Sequence, residues 1–287
     1  MPQVAVLTDS TAGVPEALME SLKITTVAYY LHRGTEVLRD LVTISRADFL
    51  RWLPGARVAP TTAAPGPGEY LDAYDELVNQ GAREIISIHM SSKISAAYES
   101  ATAARALLLD KHPHVQVEVV DSRNAALCQG WMAIQAARAA IAGSSLQTIA
   151  AMVKKLVPIS HMIQTADTLR YLYLGGRIGK AQSLVGSMLN IKPLIGIEDG
   201  EIVPLGRTHS RRQAYAAMAD IVAGIIGNGK ARIAYMHAGA LQEAQKVKEL
   251  VEAKVQVVES IFAELTPVLA VHTGPGMAGL CYYRVED

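Results

Sequence analysis

Short apolar runs alternate along the chain with longer stretches in which apolar positions recur every three to four residues. The runs at 4–7, 25–31, 84–90 and 115–120 predict strands. The periodic stretches predict a helix entered at Pro15 and helices over 67–80, 95–109, 124–142 and 145–157. Ser45, with Asp48 three positions on, resembles a capping box for a helix ending near Leu53. Residues 54–68, rich in Pro, Gly, Thr and Ala, read as a long loop of the kind that is often functional. Strand–helix alternation of this kind predicts right-handed crossovers and a mostly parallel sheet.

From residue 158 the order changes. A strand at 159–164 and a helix at 168–174 are followed by a break at 175–180 (GGRIGK). Strands at 193–197 and 201–205 flank Asp199-Gly200, a strong hairpin signal. A helix capped by Ser210 runs to 226, then a strand at 231–236 and a helix at 240–253. Strands at 255–261, 268–271 and 280–285 complete the pattern. The expected fold is α/β with two domains, 1–157 and 158–287, the first built on a mostly parallel sheet flanked by helices.

Composition narrows the function classes. Half the residues are hydrophobic and 19% are charged, as in a globular protein. Lys plus Arg and Asp plus Glu are both 27, which argues against a dedicated nucleic-acid binder. Aromatics are only 5%, so the core must come from Ala, Val, Ile, Leu and Met, a set that can equally line a narrow apolar tunnel. Cys128 and Cys281 stand far apart, which indicates neither a disulfide scaffold nor a zinc knuckle. The N-terminus shows no secretory signal, and no apolar run is long enough to span a membrane. A reduced, cytoplasmic, soluble protein is expected, with no integral membrane segment.

Several motifs fail on inspection. Residues 274–279 fit GxGxxG, but a strand follows where a dinucleotide site needs a helix. The segment ending Gly179-Lys180 has Leu174 and Ala181 where a P-loop needs Gly and Ser or Thr. There is no GxSxG elbow and no HExxH. His112 and His114 form an HxH that reads as solvated loop histidines. No metal and no cofactor are expected.

Polar clusters remain at the predicted carboxyl ends of strands, where open α/β sheets bind ligands. They include Asp9 and Ser10 within TDST, Ser91 and Ser92 with Ser95, and Asp121 with Ser122. Thr61 and Thr62 stand in the long loop, and His272 and Gly274 near the C-terminus. Singly, such hydroxyls are most often helix caps. Together they suit a small anion, phosphate or carboxylate, bound by hydroxyls and helix-start N–H groups. His272 would add a donor and, when protonated, a charge.

The sequence also resembles the DegV family of bacterial fatty-acid-binding proteins. The matching segments are TDST (8–11), PTTAAPGPGEY (60–70), SSKISAAYESA (91–101), VVDS (119–122), YLYLGGRIGKAQSLVGSMLNIKPLIGIEDGEI (171–202) and HTGPGMAG (272–279). They occur in the family's order across essentially the whole chain. The resemblance implies a fatty acid held between two α/β domains, its acyl chain in an apolar tunnel. Its carboxylate is expected beside Thr61, Thr62, Ser91, Ser92 and Ser95, with His272 close by. It also implies a non-catalytic carrier that presents a long-chain fatty acid, of palmitate or oleate type, to a separate fatty acid kinase. Two departures stand out. Thr61-Thr62-Ala63-Ala64-Pro65 replaces the frequent TSQPS, and Ser95-Ala96-Ala97-Tyr98 replaces SGTY. Ala96 in place of glycine narrows backbone freedom.

Arg170, Arg177, Lys180 and Arg207 form either a solvated break or a basic patch that docks the partner. Two other function classes compete with the carrier. A serine hydrolase acting on lipid esters would use Ser92, His272 and Asp121, but lacks the elbow that exposes a nucleophile. A small-molecule kinase domain would need a nucleotide site, for which the sequence has no motif.

Overall fold

The computed structural model describes residues 4–187 and 191–285. β1 (Val4–Asp9) leads through α1 (Glu16–Leu22) to β2 (Ile24–Val27). β3 (Tyr30–Arg33) and β4 (Glu36–Arg39) are followed by α2 (Arg46–Trp52), the short β5 (Thr61–Ala63) and α3 (Pro67–Asn79). β6 (Glu84–His89), α4 (Ala97–Lys111), β7 (Gln116–Asp121), α5 (Leu127–Ile141) and α6 (Leu146–Leu156) complete the first half. A single 3-10 turn, Val157–Ile159, crosses the expected division at residue 157.

The second half begins with β8 (Ser160–Thr165), α7 (Arg170–Leu174), β9 (Lys192–Glu198) and β10 (Glu201–Thr208). It continues with α8 (Arg211–Ile226), β11 (Lys230–His237), α9 (Leu241–Glu252), β12 (Gln256–Glu264), α10 (Pro267–Thr273) and β13 (Ala278–Val285). Among the described residues three sheets form. β2-β1-β6-β7 is wholly parallel, and β4-β3-β5 is antiparallel. β10-β9-β8-β13-β11-β12 is mixed, with only β11 and β12 parallel. At the β9–β10 turn Asp199 and Gly200 have φ of 50° and 82°, the paired positive values of a two-residue hairpin.

α5 lies between the parallel and the six-stranded sheets and is buried almost all round, as its continuous Ala, Ile, Met and Trp content requires. Ile86 and Ile88 meet one side of this layer, and Ala234, Met236 and Cys281 the other. The opposite face of the parallel sheet packs Leu7 and Ile85 against Tyr74, Ala101 and Leu108 from α3 and α4. Phe49 of α2 and Val271 of α10 join the same cluster, so the C-terminal helix contributes to the first half's core. α8 and α9 cover the outer face of the six-stranded sheet through Met218, Val222, Val247 and Val251.

The structure corrects three expectations. Residues 25–31 are not one strand. β2 ends at Val27, the Tyr29 N–H donates to Ser10 Oγ at 3.2 Å, and β3 then enters a different sheet. The loop at 54–68 contains β5, which pairs with β3. Residues 268–271 are helix, not strand, because Pro267 sits in the first turn and Asp40 Oδ1 accepts the Val268 N–H at 3.2 Å. A short apolar run carries no period that separates strand from buried helix.

Candidate functional site

A pocket opens between the loop after β6, β8, the β9–β10 hairpin and α10. The wall is mainly aliphatic and thioether: Ala64, Met90, Ile94, Ala125, Ala126, Met162, Leu172, Ile197, Ile202, Leu265, Val268, Leu269 and Met277. Tyr29, Thr62, Ser95, Gln164, Arg177, His272 and Thr273 add polar groups.

Two hydrogen-bonded pairs stand in this lining. β5 presents Thr62, whose Oγ1 lies 2.9 Å from His272 Nε2 on α10. Ser95, before α4, places its Oγ 2.7 Å from the Tyr29 hydroxyl. The exposed Arg177 donates to the Gly175 carbonyl at 2.9 Å, and its charge reaches both Tyr29 and His272. Burial, then the Arg177 guanidinium, lowers the His272 imidazole to about 4, so the ring is neutral at pH 7. Burial, then the Asp9 carboxylate, raises the Tyr29 hydroxyl well above its ordinary value, so it keeps its proton.

A neutral imidazole has one N–H to place. Among the described residues His272 Nδ1 is buried without a partner, and a Cβ at Gly175 would lie 2.2 Å from it. The hydrogen-bond pattern therefore assigns the proton to Nε2, donating to Thr62 Oγ1. The Thr62 hydroxyl hydrogen is then free for another acceptor. The charge that a protonated His272 would add is absent, because burial and then the Arg177 guanidinium disfavour the protonated ring. Gly274, at φ 76°, closes α10 against Tyr171, whose ring a Cβ would approach to 2.2 Å.

Of the expected head-group residues, Thr62, Ser95 and His272 line the pocket. Thr61 is exposed on β5, opposite His32. Ser91 is buried and donates to the Gly200 carbonyl at 2.8 Å, tying the β9–β10 turn to the loop after β6. Ser92 Oγ donates to Asp121 Oδ2 at 2.7 Å, and its N–H to Oδ1 at 3.3 Å. Asp9 faces His89 at 3.0 Å in the core and caps Thr11. Ser10 holds the Tyr29 backbone, and Ser122 braces Asn124. Ala96 adopts φ −81°, ψ 10°, a conformation that needs no glycine.

The hydrolase triad does not assemble. Ser92 and Asp121 meet, but His272 hangs from α10 and bonds to Thr62 instead. The basic residues also separate. Arg177 reaches the pocket, and Lys180 pairs with Glu201 at 2.7 Å. Arg170 lines a second cleft with Arg57, and Arg207 is exposed on β10. His112 faces Asp75 at 3.3 Å, and His114 contacts Arg83. Among the described residues no group of three metal-ligating side chains converges.

Tyr29, Gln164 and the pocket role of Arg177 were not legible in the sequence. The run at 25–31 contains no Gly, Pro, Asn or Asp to mark the break beside Tyr29. Gln164 sits in a strand pattern without a motif around it.

Fold and pocket together define a class: α/β proteins in which stacked sheets enclose a largely apolar pocket with hydrogen-bonding groups in its wall. Residues 3–285 match a family model described as "Uncharacterised protein, DegV family", and the chain belongs to the DegV family. It is similar to a DegV domain-containing protein of Listeria innocua, at 32% identity over 281 residues and 98% of both chains. A Streptomyces coelicolor relative is 32% identical over 278 residues, 96% of this chain and 97% of its own. Among solved structures, a DegV family protein from Thermus thermophilus, described for fatty acid binding, has a TM-score of 0.91 at 28% identity, covering 98% of this chain and 99% of its own. Bacillus subtilis DegV, described as a fatty acid binding protein, has a TM-score of 0.86 at 29% identity, with the same coverage.

Proposed function

We propose that this protein binds a long-chain fatty acid, with the carboxylate at Thr62, Ser95, Tyr29 and Arg177 and the acyl chain along the aliphatic wall. The observation that carries this reading is the pocket's division of labour: hydroxyls and one cation among thirteen aliphatic and thioether residues. Each buried methylene contributes roughly 0.8 kcal/mol, so a long chain supplies on the order of 10 kcal/mol before the costs of binding. A carboxylate in such a site needs donors. The Thr62 hydroxyl, the one hydroxyl hydrogen left free by the Ser95–Tyr29 bond and the Arg177 guanidinium provide them, and charge-assisted bonds are the stronger kind. His272 acts through Thr62: by taking the hydroxyl's lone pair it turns the hydroxyl hydrogen toward the ligand. The similar proteins described as binding fatty acids support the same reading.

The role extends to a non-catalytic carrier that presents the carboxylate to a separate fatty acid kinase. The family resemblance and the exposure of Arg177 in the pocket lining support this step. Binding is tested by displacing a fluorescent fatty acid from delipidated protein. Thr62→Val and His272→Ala should each weaken binding roughly tenfold, the effect of losing one hydrogen bond to a charged group. Ser92→Ala should leave affinity unchanged. Full affinity in both pocket variants would exclude this head-group site.

A further inference from the structure

Gln164 is a buried amide in an aliphatic wall. It stands near the carboxyl end of β8, is 4% exposed, and lines the pocket with Met162, Ile197, Leu265 and Met277. Its backbone pairs with β9 and β13, but among the described residues none hydrogen-bonds its carboxamide. Its cross-strand neighbour is Gly279, where a Cβ would lie 2.6 Å from the Gln164 Cβ. On the β13 side, therefore, no side chain stands opposite Gln164, and on the β9 side its opposite number is the apolar Ile195. Gln129, the fully buried amide of α5, shows the contrast. It donates to Thr8 Oγ1 at 2.9 Å and to the Ile88 carbonyl at 3.2 Å, and accepts from Thr11 at 3.1 Å.

A carboxamide has two N–H donors and one carbonyl acceptor. A plain alkyl chain laid against it would strip its water and return no hydrogen bond. A hydroxyl on that chain answers both halves, accepting from Nε2–H and donating to Oε1. We propose that Gln164 reads a hydrogen-bonding substituent on the acyl chain, so that the pocket prefers a hydroxylated fatty acid over an unsubstituted one. This inference rests on the fatty-acid reading of the same pocket. A site built around a hydroxyl rejects the analogue lacking it, because its own polar group is then left unpaired.

The test uses delipidated full-length protein carrying a fluorescent fatty acid. Stearate, oleate and a series of monohydroxystearates differing in hydroxyl position serve as competitors. At least one hydroxy isomer should bind roughly tenfold tighter than stearate or oleate. Gln164→Leu should reverse that order, weakening the preferred isomer and tightening stearate. Gln164→Met, closer in length, serves if the leucine variant is unstable. Stearate matching every isomer in the wild type would overturn the assignment and leave the fatty-acid reading standing. So would a Gln164 variant that weakens all ligands equally, which would mean a head-group contact. Failure of every competitor to displace the probe would remove the fatty-acid reading and this inference with it.

Discussion

His272 refuses a proton that the unfolded chain accepts. Its imidazole titrates near 4 in the fold, held down by burial and then by Arg177, against about 6.5 in an open chain. Between those values the unfolded state binds more protons, so stability falls as pH drops through that window. The loss approaches about 3 kcal/mol at its lower end. Asp40 works in the opposite sense. Burial raises it from 3.8 to about 6, against the pull of the Ser10 hydroxyl and the Val268 N–H, so its ionisation costs stability as pH rises between those values. The two partly cancel in the wild type and separate by mutation. On acidification from pH 7 toward 4, urea unfolding of His272→Gln should lose about 2–3 kcal/mol less than wild type. An unchanged acid response would mean that the folded ring is already charged. At this scale the sequence shows hydroxyls and a histidine in separate motifs but not their partners. Thr62 and His272 lie on β5 and α10, and only packing decides that they bond to each other. Tyr29, Arg177 and Gln164 belong to the pocket for the same reason.

α10 is a short element that the pocket depends on. It supplies Val268, Leu269, His272 and Thr273 to the lining, yet Pro267 and the Asp40 contact at its start determine whether it forms. Asp40 is not among the lining residues, so its effect on binding must pass through the helix. Asp40→Ala should destabilise the protein by about 1–3 kcal/mol, the usual cost of an unmet buried hydrogen bond. Amide exchange should accelerate in 268–273, and fatty-acid affinity should fall. Faster exchange spread evenly over the chain would show that Asp40 does not act on this helix. Elements with a full period were legible in the sequence: the helices capped by Ser45 and Ser210 each show the expected side-chain cap. The failures came where a run was too short to show its period, at 268–271, or where one apolar stretch crossed between two sheets, at 25–31. Tertiary contacts settle both, and local propensity cannot.

On the scale of the molecule, strand–helix alternation in the first half foretold the parallel sheet, and the break in that alternation foretold a different second half. The pocket's apolar wall was legible only as composition, because it draws on residues from Ala64 to Met277. If the carrier docks an acidic partner, the exposed cations outside the lining are the ones to change. Charge reversal at Lys180 and Arg207 together should slow acyl-phosphate formation by the kinase and leave fatty-acid affinity intact. Equal rates with the double variant would exclude that docking face. The most direct measurement is mass spectrometry of an organic extract from the purified protein, prepared without added lipid. A fatty acid at near-stoichiometric amount, depleted in Thr62→Val, is the expected result. An extract free of fatty acid, with no uptake of palmitate, oleate or a hydroxystearate on incubation, would contradict fatty-acid binding by this pocket.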